Sequence, residues 1–309
     1  MNLFRAKFKL KGWVASAWQS DTIFGHLCWG MRYLHGEDEL KDFLRLYDAG
    51  TPPLLVSNGF PGELLPNPIM PPSSIGRTLP LGEQRERFRH YKQTKHIRYV
   101  TPAEFSRAIN GEAVTPLAQT EPKETFRITL KNQLNRLSGT TDEEHPLYNF
   151  EEHYWPEITV YLKVSADFVD MARRLFQYIA DTGYGKRKSV GYGQIEAVSF
   201  DTFDGLNRPQ KANGFVTLSN FVPAANDPIN GWWNMIVKYG RMGEEWASGD
   251  NAFKKPLLML EAGSTFLDSP PREYYGCLVR NLNPVYNQAV QYAFALPVPM
   301  VIPGQENTL

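Results

Sequence analysis

A change of period between residues 158 and 182 constrains this chain more than any other feature. Ile158, Val160, Leu162 and Val164 alternate with Thr159, Tyr161 and Lys163. That is the two-residue repeat of a half-buried strand. Directly afterwards Phe168, Met171, Ala172, Leu175, Tyr178 and Ile179 recur at helical spacing. Asp167 falls in the first turn of the expected helix, and Gly183 is placed to end it. A glycine-rich loop then leads to another strand near 194–200.

The N-terminus shows the same order. Phe4, Ala6, Phe8 and Leu10 point one way, and Arg5, Lys7 and Lys9 the other. Ser20 or Asp21 can cap a helix whose apolar stripe is Ile23, Phe24, Leu27, Cys28, Met31 and Leu34. Leu54-Leu55-Val56 follows as a short strand. Strand–helix–strand, twice over, predicts a split βαβ or ferredoxin-like unit, the topology shared by the RNA-recognition motif.

Between the two halves of that unit the pattern breaks. Pro61, Pro66, Pro68, Pro71, Pro72 and Pro80 disfavour regular elements, so about 61–125 reads as an insertion that leaves the core fold. Regularity resumes at Phe126–Leu130. Beyond Asp204–Pro209, strand-like runs appear at 215–219, 232–238, 257–260, 276–280 and 290–296, with little helical period. The expectation is an α+β chain. Residues 1–205 form a ferredoxin-like (RRM-like) domain with a basic insertion, and 210–309 a β-rich second domain, a degenerate ferredoxin-like unit.

Composition removes several classes. The chain has 309 residues and 42% hydrophobic residues, enough for a substantial core. Lys+Arg and Asp+Glu both total 33, so global charge steers nothing toward polyanions, and any such site needs local clustering. Cys28 and Cys277 are the only cysteines, which excludes a disulfide framework or a zinc site of cysteines alone, and fits a reducing cytoplasm. The first residues, MNLFRAKFKLKG, lack the apolar stretch of a signal peptide. No run of apolar residues reaches the length of a membrane span.

The most informative segment runs Gly183-Tyr184-Gly185-Lys186-Arg187-Lys188-Ser189-Val190-Gly191-Tyr192-Gly193. Two Gly-Tyr-Gly triplets bracket three cations. Glycines admit a phosphate close to backbone amides, cations add charge-assisted bonds, and tyrosines offer ring faces to bases. Three adjacent like charges repel unless an anion offsets them. The loop is not a Walker A motif, because Arg187 follows Gly185-Lys186 and Ala180 stands where the first glycine belongs.

Arg77 to Arg98 holds seven cations against two acids, among them Arg85, Arg87, Arg89 and Lys92, with Phe88, Tyr91 and Tyr99 interleaved. That mixture suits single-stranded nucleic acid and equally a solvated helix or hairpin face. Asp142 to Glu157 is acidic, with no Lys or Arg between Leu137 and Val160. It reads as a solvated loop or as a docking face for a basic partner. No histidine has zinc-ligand spacing with cysteine, and no Asp-x-Asp or Glu-x-x-His pattern supports a metal. His26, in the first helix, is the one candidate base: a histidine there can activate an RNA 2′-hydroxyl, or be a plain core-edge residue.

These motifs together resemble the subunit-4 family of the Csm, or type III-A, CRISPR effector, in the Cas5-like group of the RAMP superfamily. The resemblance is carried by Ser20–Leu27, Leu64–Pro68, Lys131-Asn132 through Leu147-Tyr148, the glycine-rich Gly185–Gly193, and Ser248-Gly249 with Glu261–Phe266, in that order. It implies two ferredoxin-like domains and binding of the 5′ repeat-derived tag of the crRNA through the glycine-rich loop. It implies docking on a Cas10-type large subunit and a Cas7-like backbone subunit. It implies no cleavage activity in this subunit; separately, no cofactor and no membrane contact are expected. The alternative within the superfamily is a metal-independent endoribonuclease with His26 as general base.

Overall fold

The computed structural model describes residues 1–71, 96–112, 125–132, 147–248 and 251–304, with isolated positions at 82, 83, 85, 88, 89, 138, 140 and 141. Strand β1 (Asn2–Leu10) buries Phe4, Ala6, Phe8 and Leu10. On its other face Arg5 and Lys7 meet Glu63, the Arg5 contact at 3.0 Å.

Helix α1 (Ser20–His35) follows, but neither Ser20 nor Asp21 caps it. Gln19 holds the cap position, and the Ser20 amide donates to Asn58 Oδ1 at 2.9 Å. A long-range side chain therefore supplies the acceptor that a local Ser or Asp supplies in most helices. Ser20 and Asp21 are instead buried in the first turn.

Gly36, at φ +96°, ends α1 and opens helix α2 (Glu37–Asp48), an element outside the sequence-based expectation. Its first turn holds Glu37, Asp38 and Glu39, where carboxylates favour the positive helix end. Phe43 and Tyr47 of its apolar stripe pack into the core. Strand β2 (Leu54–Pro61) comes next.

The proline-dense stretch is anchored at both ends. Strand β3 (Leu65–Pro66) pairs with β4 (Tyr99–Val100). Helix α3 (Pro102–Ile109) starts on a Thr101/Glu104 capping box with proline at its head, and buries Phe105 and Ile109 in the main core. Residues 99–109, expected outside the core fold, thus return to it.

Strands β5 (Thr125–Asn132) and β6 (Leu147–Tyr154) form a separate two-stranded ribbon. Strand β7 (Glu157–Val164), helix α4 (Val169–Thr182) and strand β8 (Ile195–Thr202) fall where periodicity put them. Asp167 sits one step earlier, in a 3-10 turn before α4.

The main sheet has the order β8-β1-β7-β2, with β1 antiparallel to both neighbours and β2 antiparallel to β7. Helix α1 joins β1 to β2 and α4 joins β7 to β8, which is the split βαβ connectivity.

The second half is rich in strands. β9 (Gly214–Thr217), β10 (Gly231–Trp232), β13 (Thr265–Leu267) and β16 (Pro297–Met300) form a sheet in the order β10-β13-β9-β16. β11 (Met235–Lys238) pairs with β12 (Leu257–Leu260), and β14 (Tyr275–Val279) with β15 (Gln291–Ala295). Among the described residues after Pro209 there is no α-helix, so of a second ferredoxin-like unit only strands are seen. Both halves feed one core, in which Tyr292, Phe294 and Leu296 meet Phe24, Phe43 and Tyr47.

Candidate nucleic-acid interface

Helix α4 stops because Gly183 takes φ +83°, returning its amide to Ile179 at 2.9 Å. The loop then closes on itself. The Tyr184 amide donates to the Gly193 carbonyl at 2.9 Å, and the Gly193 amide to Trp13 at 2.8 Å. A Cβ at Gly193 would lie 1.8 Å from the Tyr184 carbonyl oxygen, and one at Gly185 2.7 Å from the Ser16 Cβ. Gly185 admits the chain's own Ser16, and Gly193 the Tyr184 carbonyl of the same loop, rather than a phosphate. Tyr184 is a core side chain, not a base platform. It is fully buried, stacks on Trp18 with centroids 3.8 Å apart, and donates its hydroxyl to Ala17 at 2.8 Å.

The loop amides divide into two sets. Gly185 donates to His26 Nε2 and Lys186 to Ser16 Oγ, each at 2.9 Å. Val190, Gly191 and Tyr192 turn back to the carbonyls of Arg187 and Lys188. The amides of Arg187, Lys188 and Ser189 donate to nothing among the described residues. Arg187 is left-handed (φ 62°, ψ 24°), and the right-handed 3-10 turn Lys188–Val190 follows it. Left-then-right backbone turns successive amides into one concavity, the nest that receives an anion.

The three cations have different fates. Lys188 ion-pairs with Glu244 of the second half, which offsets one charge from within the chain. Arg187 donates to the Tyr148 hydroxyl at 2.5 Å and lies 4.7 Å over Phe150, and the Lys186 ammonium lies 5.3 Å over the same ring. Lys186, Arg187 and Ser189 are exposed beside the nest.

The β5–β6 ribbon buttresses this loop, and no motif in the sequence placed it there. Lys131 donates to the Tyr192 hydroxyl at 2.7 Å, and Phe150 meets the Tyr192 ring edge-on at 5.4 Å. Tyr192 is therefore half-buried between loop and ribbon. The acidic run is not wholly a solvated loop: Glu152 is buried, ion-paired with Arg127, hydrogen-bonded by Thr129 at 2.7 Å, and 4.0 Å from Lys131. The Arg127 hydrogen bond, helped by the Tyr192 and Thr129 hydroxyls, holds the Glu152 carboxyl down at about 2 against the opposing effect of burial. Arg127 in turn covers the Trp13 ring at 4.1 Å. Residues 142–146 lie outside the described residues.

His26 lacks the geometry of a general base. Its Nε2 accepts the Gly185 amide, its Nδ1 is buried without a partner among the described residues, and its ring lies 5.1 Å from Tyr184. Burial first, then the Lys188 charge, pushes its pKa down to about 3. It is half-buried and neutral, and its basic nitrogen is already taken by the loop amide, so in this arrangement it has no free lone pair with which to accept a proton from a 2′-hydroxyl. Of the basic insertion, Arg85 and Arg89 are exposed, while Arg87 and Lys92 lie outside the described residues. Among the described residues no cluster of three His, Cys, Asp or Glu side chains could hold a metal.

Fold and site together define a mixed α/β protein with a split βαβ sheet and a basic, anion-receptive loop after its last helix. No protein-family model and no curated protein matches the sequence. Solved structures do. A chain of the Csm1–Csm4 cassette with AMPPNP aligns at TM-score 0.66 and 16% identity, over 98% of this chain and 99% of that one. A chain of the cassette with cA4 aligns at TM-score 0.65 and 16% identity, over 97% and 99%. A chain of the Csm3–Csm4 subcomplex of the type III-A CRISPR-Cas interference complex aligns at TM-score 0.62 and 13% identity, over 97% and 99%. Csm4 is the component these assemblies share, and the fold is that of the Csm4 chain, nearly end to end.

Proposed function

We propose that this chain is a non-catalytic guide-RNA-binding subunit of a type III-A CRISPR effector complex. It holds the 5′ repeat-derived tag of the crRNA and docks on a Cas10-type large subunit and a Cas7-like backbone subunit. The observation that carries the reading is the set of three undirected amides at Arg187, Lys188 and Ser189, flanked by the exposed Lys186 and Arg187 side chains. A sugar-phosphate backbone supplies the anion such a concavity lacks.

The two partners follow from the company Csm4 keeps in the assemblies whose fold this chain shares, Csm1 in one and Csm3 in the other. The non-catalytic reading is supported by His26, whose basic nitrogen is occupied by the Gly185 amide. The second half is read as a degenerate ferredoxin-like domain. The cytoplasm is the compartment where such an assembly meets its RNA, and no helix among the described residues is long and apolar enough to cross a membrane.

The test is titration of the purified chain with tag-length single-stranded RNA. Lys186→Ala/Arg187→Ala is expected to weaken binding about tenfold or more. It should also flatten the dependence of log K on log salt by about 1.4, at about 0.7 for each phosphate no longer neutralised. RNA recovered intact in EDTA is the companion expectation. Unchanged affinity in the double variant, or cleavage by the wild type, contradicts the reading.

A further inference from the structure

We infer that the outer face of the β5–β6 ribbon is a protein-docking surface, and that its occupant is a partner protein presenting an apolar strip edged by a Lys or Arg. The pairing register sorts the ribbon into two chemically opposite faces. Arg127, Thr129 and Lys131 stand opposite Glu152, Phe150 and Tyr148, and all six face the glycine-rich loop. The alternate positions point the other way, since side chains on a strand alternate in direction. There Phe126 is 48% exposed, Ile128 54%, Leu130 66% and Leu147 63%. So many apolar side chains on one open face of a two-stranded ribbon mark a contact surface. The patch is braced from below, where Phe126 lies 5.1 Å from His153, which stacks on the buried Trp155 at 5.7 Å.

Charge selects the kind of occupant. The outward positions of both strands carry no Lys or Arg, and Glu151, directly across from Ile128, is exposed with no ion pair among the described residues. A nucleic acid laid on this face meets one carboxylate and no cation, whereas every cation of the ribbon lies on the loop side. An apolar protein surface with a basic residue at its rim complements both features. The ribbon then separates two partners, RNA on its inner side and protein on its outer side.

This inference uses the proposed assembly for its probe. The chain is co-expressed with the Csm1-type and Csm3-type subunits of the same source and guide RNA, and subunit content is read by native mass spectrometry. Leu130→Glu and Glu151→Arg are the variants, with RNA affinity of each purified chain and its thermal midpoint measured in parallel. The expected result is RNA affinity within about twofold of wild type, an unchanged midpoint, and about tenfold lower retention of one partner subunit, the scale of a single interface anchor.

Full retention of both subunits by both variants overturns the docking face and leaves the proposed function standing. A loss of RNA affinity with the subunits retained overturns it by making this an RNA face. A wild-type dimer that Leu130→Glu dissolves overturns it in favour of a second copy of the chain. A wild type that recruits neither subunit removes the assembly reading and this inference together.

Discussion

His26 commits its one basic nitrogen to the backbone of the loop, and that choice makes loop and helix α1 a single unit. Its folded pKa, about 3, lies below the unfolded value of 6.5. Between those values the unfolded chain binds the extra proton, so stability is lost as pH falls from 6.5 toward 3. The slope approaches about 1.4 kcal/mol per pH unit once pH is well below 6.5. His26→Gln keeps an acceptor for Gly185 and removes the titration. Denaturant midpoints at pH 7 and pH 5.5, above the carboxylate range, are expected to differ less in His26→Gln than in wild type. Equal differences in the two proteins would show that His26 is protonated in the fold.

At this scale sequence shows which groups are present and not which are already engaged. Lys186, Arg187 and Lys188 look alike in a row, yet Lys188 is neutralised by Glu244 from the other half of the chain. Tyr184 and Tyr192 sit in identical triplets, yet one ring is in the core and the other against the ribbon.

Elements are where sequence served best, because period follows directly from backbone geometry. Strands β1 and β7 and helices α1 and α4 were legible from alternation and helical spacing, while β2 was read only as the short run 54–56 and β8 only as a strand near 194–200. Helix α2 carries a legible signal too, Glu37–Glu39 ahead of Phe43 and Tyr47, though the expectation omitted it. Strand β6 was not legible, because the side it turns to the loop carries a buried glutamate beside Phe150, and its apolar Leu147 faces out. The cap of α1 was illegible for a different reason, since Asn58 comes from another element.

The glycine-rich loop carries its own test of what its glycines do. Gly191 has φ +92° and open space where a Cβ would point, whereas Gly193 has φ +64° and the Tyr184 carbonyl in that place. Gly191→Ala costs only the strain of a left-handed alanine, about 1–2 kcal/mol. Gly193→Ala must also break the Tyr184–Gly193 closure. Under the proposed RNA-binding role, its expected signature is a larger fall in thermal midpoint and loss of RNA binding, while Gly191→Ala keeps binding near wild type. Equal behaviour of the two would mean that the closure does not shape the nest.

Across the whole molecule the two halves are joined by polar bonds as well as by a shared core. Asn58 accepts the Ser20 amide and reaches Asn220, and Asn220 in turn accepts the Ala262 amide. Deeper in, the buried Asp21 of α1 meets Lys238 of β11 at 2.9 Å and accepts from Gln291 of β15. Lys254 donates to Gln291 Oε1 at 2.7 Å, and burial pushes its ammonium down to about 8 despite the nearby Asp21. One carboxylate thus serves two lysines of the other half. Removing it leaves both cations poorly solvated without a counter-charge, the situation in which a broken buried pair costs about 3–5 kcal/mol. Asp21→Asn keeps the size and most of the hydrogen bonds, so the loss it measures is that of the charge. The control is Lys41→Ala, which breaks an exposed pair with Glu37 on α2 and is expected to cost less than about 1 kcal/mol. Urea unfolding followed by tryptophan fluorescence and by far-ultraviolet circular dichroism should give Asp21→Asn a single transition at lower midpoint, coincident in both signals. Two separate transitions would show that the halves fold independently, and a loss no greater than that of Lys41→Ala would show that Asp21 does not hold them together.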